Sequence, residues 1–318
     1  MKRLTIPLII ITLLLASFAC GQSSTPTKEP TVEVQLEEES SPINDSEEVN
    51  EQDDVEETEI SESLEQQSSD VSIEEQVILD NDGITITAKG LVMEDSFFGP
   101  DISILIENNS EKDITVQVRN FSVNGLMVET IFSSDVASGK KANDGITIME
   151  SDLETANISV IKTIEFAFHI FDTDSWDTIF DSDPIIIETV GSEAYTQEYD
   201  TTGTTAIDTN NIKLIIKKLD SSDSFWGADV YVYIENNSAQ NITVQARDVS
   251  INGFMVDPIF SSDIAAGKKA FDTITFMESD LTDNDISDIE SIELKFHVFN
   301  SDSWDTIFDS EIIDITFD

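Results

Sequence analysis

The residues best equipped for chemistry gather around two tryptophans. Asp172, Asp174, Asp177, Asp181 and Asp183 surround Trp176, while Asn300, Asp302, Asp305, Asp309 and Glu311 surround Trp304. Closely spaced carboxylates are hard oxygen ligands, and calcium takes about six to eight such oxygens. The spacing departs from an EF-hand loop, which needs a glycine at its sixth position and a closing glutamate. Two readings follow. One is a calcium site on Asp172, Asp174, Asp177 and Asp181 with Asp302, Asp305 and Asp309, calcium being the one cofactor these residues suggest. The other is a solvated turn whose aspartates bond their own backbone.

Three further groups of residues invite a functional reading. His169 and His297 are the only histidines, and a general base needs a partner within hydrogen-bond reach that the sequence does not identify. Arg119 and Arg247 end the matching rows Thr115-Gln117-Arg119 and Thr243-Gln245-Arg247. They read either as a recognition face or as cross-strand ion pairs with Glu107 or Glu235. Phe97-Phe98 before Gly99, and Phe225-Trp226 before Gly227, place aromatic pairs in loops. Such tips anchor sugars or proteins, or fold back over one end of a domain. Gly139-Lys140-Lys141 and Gly267-Lys268-Lys269 read as turns between strands.

These residues recur because the chain carries one unit twice. Residue i matches residue i+128 without a gap from about Gly83 to Ser182. Ile106 to Ser110 (IENNS) returns at Ile234 to Ser238, and Asp174 to Ser182 (DSWDTIFDS) returns unchanged at Asp302 to Ser310. A period this long is a copied domain rather than a solenoid repeat of about 20–50 residues. Within the unit, Ile102, Ile104 and Ile106 alternate with Ser103, Leu105 and Glu107, the period of a half-buried strand. The copy exchanges the inward residues gently, to Val230, Val232 and Ile234, but turns Ser103 and Leu105 into Tyr231 and Tyr233, which reads as a free outer face.

Asn124-Gly125 and Asn252-Gly253 sit between apolar runs, a strong hairpin signal. Ile164, Phe166, Phe168 and Ile170 alternate likewise, matched by Ile292, Leu294, Phe296 and Val298, which leaves the histidines on the opposite, outer or half-covered face. Ile146 to Met149, Trp176 to Phe180 and Ile185 to Ile187 supply further strands. Ser151 with Glu154 reads as a capping box opening one helical turn. Seven or eight short strands in about 110 residues imply an all-β chain of two tandem immunoglobulin-like β-sandwiches.

Composition narrows function by exclusion. Among 318 residues, 16 Lys and Arg oppose 65 Asp and Glu, a net charge of −49. Such a chain does not neutralise phosphates, so nucleic acid is excluded as a partner. A single cysteine excludes a disulfide scaffold or thiolate zinc site. No GxSxG or HExxH motif is present, and the expectation is a protein that is not an enzyme. From Gly21 to Gln76, 19 acidic residues face only Lys28, with no aromatic residue. So polar a segment cannot offset the entropy of ordering and reads as a disordered acidic stalk.

The amino terminus reads as an address. Lys2 and Arg3 precede an apolar run from Leu4 to Leu15, then small residues lead to Cys20. The run is shorter than a bilayer span and has the layout of a secretory signal. A cysteine at this boundary resembles the lipobox of bacterial lipoproteins, although Ser17 and Phe18 depart from its usual residues. That resemblance implies a diacylglyceryl anchor on Cys20 at the outer face of the cell membrane. An ordinary signal peptidase site at Ser17-Phe18-Ala19 remains the alternative and implies a soluble secreted protein.

The segments IENNSEKDITVQVRNFSVNG, SGKKA and FHIFDTDSWDTIFDS resemble uncharacterised surface lipoproteins of clostridia and related Gram-positive bacteria with tandem immunoglobulin-like domains. The resemblance covers both repeats and brings no ligand residues with it. The expected organisation is a signal peptide over residues 1–19 and a lipidated stalk over 20–76. Repeat 1 then covers 77–190, a linker 191–205 and repeat 2 206–318. The expected role is binding at the cell surface to a polymer, sugar or protein, against the alternative of a spacer with no dedicated ligand.

Overall fold

The computed structural model describes residues 71–93, 97–221 and 226–316. These lie within one compact unit. Cys20 and the stalk to residue 70 lie outside the described residues.

In the first repeat, β1 (Gln76–Asn81), β2 (Ile84–Val92), β3 (Asp101–Asn108) and β8 (Lys140–Ile148) pair antiparallel in that order, with β6 (Thr130–Ile131) at the end of β8. The facing sheet is built on β4 (Ile114–Val123) and β9 (Thr163–Asp172). On it, β5 (Leu126–Met127) and β7 (Ser133–Val136) flank β4, while β10 (Thr178–Asp181) and β11 (Ile185–Glu188) flank β9. The period-2 pattern is the cause. Ile84, Ile86, Ile102, Ile104 and Ile106 from one sheet meet Ile164, Phe166, Phe168 and Ile170 from the other, all at most 1 % exposed. Asn124 (φ 52°) and Gly125 (φ 81°) supply the two positive dihedrals of the tight hairpin between β4 and β5.

The second repeat follows the same plan. One sheet holds β12 (Thr204–Thr209), β13 (Ile212–Asp220), β14 (Gly227–Asn236) and β18 (Lys269–Met277). The other holds β15 (Ile242–Ile251), β16 (Phe254–Met255), β17 (Ser261–Ile264), β19 (Ser291–Asn300), β20 (Thr306–Asp309) and β21 (Ile313–Thr316). Short helices α1 (Glu150–Thr155) and α2 (Glu278–Asp283) follow β8 and β18. The described residues are therefore all-β apart from these two short helices, as two tandem immunoglobulin-like sandwiches.

The repeated IENNS motif has a structural role. Asn108 is fully buried, donates to the carbonyls of Lys112 and Val136, and accepts from Ser110. Asn236 does the same with Gln240, Ile264 and Ser238. Each asparagine satisfies loop backbone groups that burial would otherwise leave unpaired.

Several sequence expectations are corrected. The fold starts before residue 77, since Val71 and Ile73 are already buried and Ser72 bridges Val190. No capping box forms: α1 starts at Glu150, its N-cap is Met149, and Ser151 Oγ turns to Asp152. Trp176 is not part of a strand but sits in the turn before β10.

The largest correction concerns the outer face of β14, where Tyr233 is fully buried. Ile215, Tyr233 and Phe271 of the second repeat pack against the core of the first. Their counterparts are Thr87, Leu105 and Asn143, so two of the three exchanges between copies turn polar to apolar. The junction is completed by backbone and charge. The Lys269 N–H donates to the Gly125 carbonyl at 3.0 Å, in a parallel pairing of β18 with β5. Lys268 Nζ meets Glu165 Oε2 at 2.5 Å, with side chains only 15 % and 26 % exposed. The Lys269 ammonium lies over the Tyr199 ring, and the Tyr199 hydroxyl donates to the Asn124 carbonyl. The Gly267-Lys268-Lys269 segment, expected to be only a turn, thus clamps the two sandwiches, while the 191–205 linker is largely exposed and touches down through buried Ser192 and half-buried Tyr195 and Tyr199.

Candidate binding site

Strand β9 and the turn after it build the same aromatic ladder that β19 builds in the second copy. The outer positions of β9 carry His169 and Phe171, and Trp176 folds back so that its ring stacks on Phe171 at 5.5 Å and 18°. Trp304 stacks on Phe299 with the same distance and angle. Each indole keeps one face on phenylalanine and is 76 % exposed. To reach this position, Trp176 and Trp304 adopt φ 63° and 65°. A bulky residue in the left-handed region carries strain of roughly 1–3 kcal/mol, which the surrounding turn has to offset.

The aspartates supply that turn. Asp172 Oδ1 accepts from the backbone of Asp174 and Ser175, and Lys112 pairs with Oδ2 at 3.1 Å. The Ser175 backbone bond, then Lys112, hold the Asp172 carboxyl below its usual range. Asn300 makes the same two backbone bonds through its amide oxygen. A neutral side chain does this work equally well. Asp181 and Asp309 are engaged with the histidines, at 2.5 Å from His169 Nδ1 and 2.6 Å from His297 Nδ1. This is the histidine partner that sequence did not reveal. Asp305 accepts from Ser303 Oγ, and Asp302 from Asn241 Nδ2. Asp174 and Asp177 stand beside Trp176 in the same turn. Among the described residues no three His, Cys, Asp or Glu side chains gather in a metal-holding group.

The other predicted sites are scattered. The expected Arg119–Glu107 and Arg247–Glu235 pairs do not form. Glu107 pairs with Lys141, Glu235 accepts from the Tyr233 hydroxyl, and Arg247 donates to Gln245 Oε1. Phe97 is 93 % exposed and meets Phe98 edge-on. Trp226 is 57 % exposed, and Phe225 lies outside the described residues. Gly99 and Gly227 hold these loops close to the next strand: an added Cβ would stand 2.2 Å from the carbonyl oxygens of Ile148 and Phe276 respectively. The aromatic loops therefore sit at a tight crossing, one in each repeat.

A cleft of about 800 Å³ runs along the junction. Arg119 and Glu129 line it from the first repeat, with Gln245, Asp263, Asp272, Phe299 and Trp304 from the second. Sequence reasoning missed this cleft because it is made by docking two modules. Burial pushes the Asp272 carboxyl up despite its bond from Ser262, and Asp152 and Asp263 add repulsion. Glu129, at the more exposed mouth, is raised by partial desolvation and then by Asp152, Asp263 and Asp272.

No protein-family model matches the chain, and no curated protein matches it. Solved structures similar at low identity include two pilus assembly complexes. The Salmonella enterica SafA pilin in complex with the SafB chaperone is 10 % identical, with a TM-score of 0.18, over 68 % of this chain and 89 % of that one. The CsuC-CsuE chaperone-tip adhesion subunit pre-assembly complex of Acinetobacter baumannii is 12 % identical, with a TM-score of 0.20, over 68 % and 91 %. The sandwich assignment rests on strand pairing and the two cores.

Proposed function

We propose that the protein is an extracytoplasmic binding module, tethered to the outer face of the cell membrane through a lipidated Cys20 and raised on its acidic stalk. The resemblance to clostridial and other Gram-positive surface lipoproteins supports the same reading. No step of chemistry is assigned to it. The observation that carries the proposal is the pair of indoles held open by the same strained turn in both repeats. An exposed tryptophan with one face covered offers its other face to the apolar C–H face of a sugar ring, and the flanking Asp174 and Asp177 can accept from sugar hydroxyls. A net charge of −49 repels anionic wall polymers, so the ligand expected is a neutral polysaccharide.

The test is retention on insoluble neutral wall polysaccharide. Trp176→Ala and Trp304→Ala each weaken retention, and together they abolish it, with only a small fall in melting temperature as Phe171 and Phe299 are uncovered. Full retention by the double variant overturns the proposal, and lost retention with an equal loss of stability reduces the indoles to packing. The alternative, a rigid spacer, draws support from the clamped junction of Lys268 and Glu165. It predicts no retention by the unmodified chain.

A further inference from the structure

The contact that joins the two repeats has unfilled counterparts at both ends of the molecule. On the first repeat, the donor half of that contact is the Asn124-Gly125 turn, the buried Leu126 with Met127, and Glu165. On the second repeat, the acceptor half is Lys268-Lys269 at the start of β18. At the offset of 128 residues the second repeat carries its own donor half: Asn252 and Gly253 in the same turn (φ 50° and 86°), Phe254 and Met255, and Glu293. Where Leu126 is fully buried, Phe254 is 48 % exposed and Met255 is 68 % exposed. Glu293 is exposed as well.

The first repeat carries the matching acceptor half, with Lys140 and Lys141 exposed at the start of β8. Strand β8 pairs with β3 along one edge, but on its other edge only Thr147 and Ile148 are paired, with β6. Among the described residues, no strand covers that edge from Lys140 to Gly145. The corresponding edge of β18 is the one that receives β5.

We propose that a second copy of this chain docks here head to tail, its Asn252–Met255 hairpin on the open β8 edge and its Glu293 against Lys140. The charges are complementary, the apolar pair is present, and the backbone edge is open. The surface patches that meet are different, so the contact is heterologous and extends into open chains instead of closing as a two-fold dimer. Thr87 and Asn143 stand where Ile215 and Phe271 strengthen the internal junction. The contact between molecules is accordingly weaker than the internal one and reversible.

Sedimentation velocity of residues 71–318, which hold both sandwiches and the junction between them, tests this at physiological ionic strength, where screening limits repulsion between chains. The expected result is a weight-average sedimentation coefficient that rises with concentration beyond that of a dimer. Phe254→Asp shifts the association at least about tenfold to higher concentration, the scale of one buried aromatic anchor. Glu293→Lys and Lys140→Glu are each monomeric. An equimolar mixture of the two restores an opposite-charge pair at both contacts between unlike chains, the swapped pair in one direction and the native Glu293–Lys140 pair in the other, and so forms alternating open chains again. All of these positions are exposed, and melting curves verify the fold of each variant. A chain that stays monomeric up to its solubility limit overturns the proposal. So does association that the variants leave unchanged, or a charge-swapped mixture that does not pair.

Discussion

At the residue scale, the side chains that repeat identically divide into those that hold the fold and those left at its surface. Asn108 belongs to the first kind. Replacing it by Ala leaves the Lys112 and Val136 carbonyls and the Ser110 N–H without their buried partner, and the expected loss is about 2–3 kcal/mol. Chemical denaturation measures it, and Asn236→Ala should behave alike. Asp172 is of a different sort, because Asn300 performs its task without charge. Millimolar calcium added after EDTA is therefore expected to leave the melting temperature unchanged. A saturable rise specific to calcium would restore the aspartates as ligands.

Asp272 gives a dependence on pH with a definite sign. Burial raises its pKa in the fold above the ordinary value of 3.8. The folded state therefore binds the proton more tightly than the unfolded chain does. Stability from this group is fully present below 3.8 and is lost as pH rises through the raised value. Asp272→Asn removes that loss, so it should raise the melting temperature near neutrality and flatten its fall between acidic and neutral pH. A variant less stable than the parent at pH 7 would show that the Ser262 bond outweighs the desolvation.

At the scale of elements, the strands were legible because burial on one face writes a period of two into the sequence. Ile102, Ile104 and Ile106 carry it, as do Phe166 and Phe168. The hairpins were legible because Asn-Gly is one of the few pairs that tolerate two positive dihedrals easily. What stayed hidden depended on partners distant in sequence. The His169–Asp181 pair joins neighbouring strands whose register is set by the turn, and Lys268 finds Glu165 from 103 residues away. The junction did leave a signal, since Thr87 and Asn143 become Ile215 and Phe271, but outward apolar residues read equally well as tolerated surface. Lys268→Ala tests the clamp. It leaves Glu165 at a half-buried position without its cation and should weaken docking of the sandwiches. The expected readout is a melt that broadens or divides into two transitions, and a single sharp transition as in the parent would show that apolar packing alone couples the repeats.

For the whole molecule, the proposal is a tethered pair of sandwiches, docked through Lys268, Glu165 and the β18–β5 pairing, that presents two exposed indoles. The tether is tested by metabolic labelling with a radioactive fatty acid: Cys20→Ala should abolish incorporation and release the protein from the membrane fraction. Labelling that persists in the variant, or none in the parent, contradicts lipidation at this residue. A charge of −49 on the whole chain favours neutral or cationic partners over anionic ones.

The central claim is that ligand meets Trp176 and Trp304. Three tryptophans are present, so Trp226→Phe leaves fluorescence that reports only the two platforms. Titrating this variant with soluble fragments of a neutral wall polysaccharide should give a saturable change in emission, competed by the intact polymer. Emission that stays constant while the polymer still retains the chain would place binding elsewhere on the molecule and contradict the account.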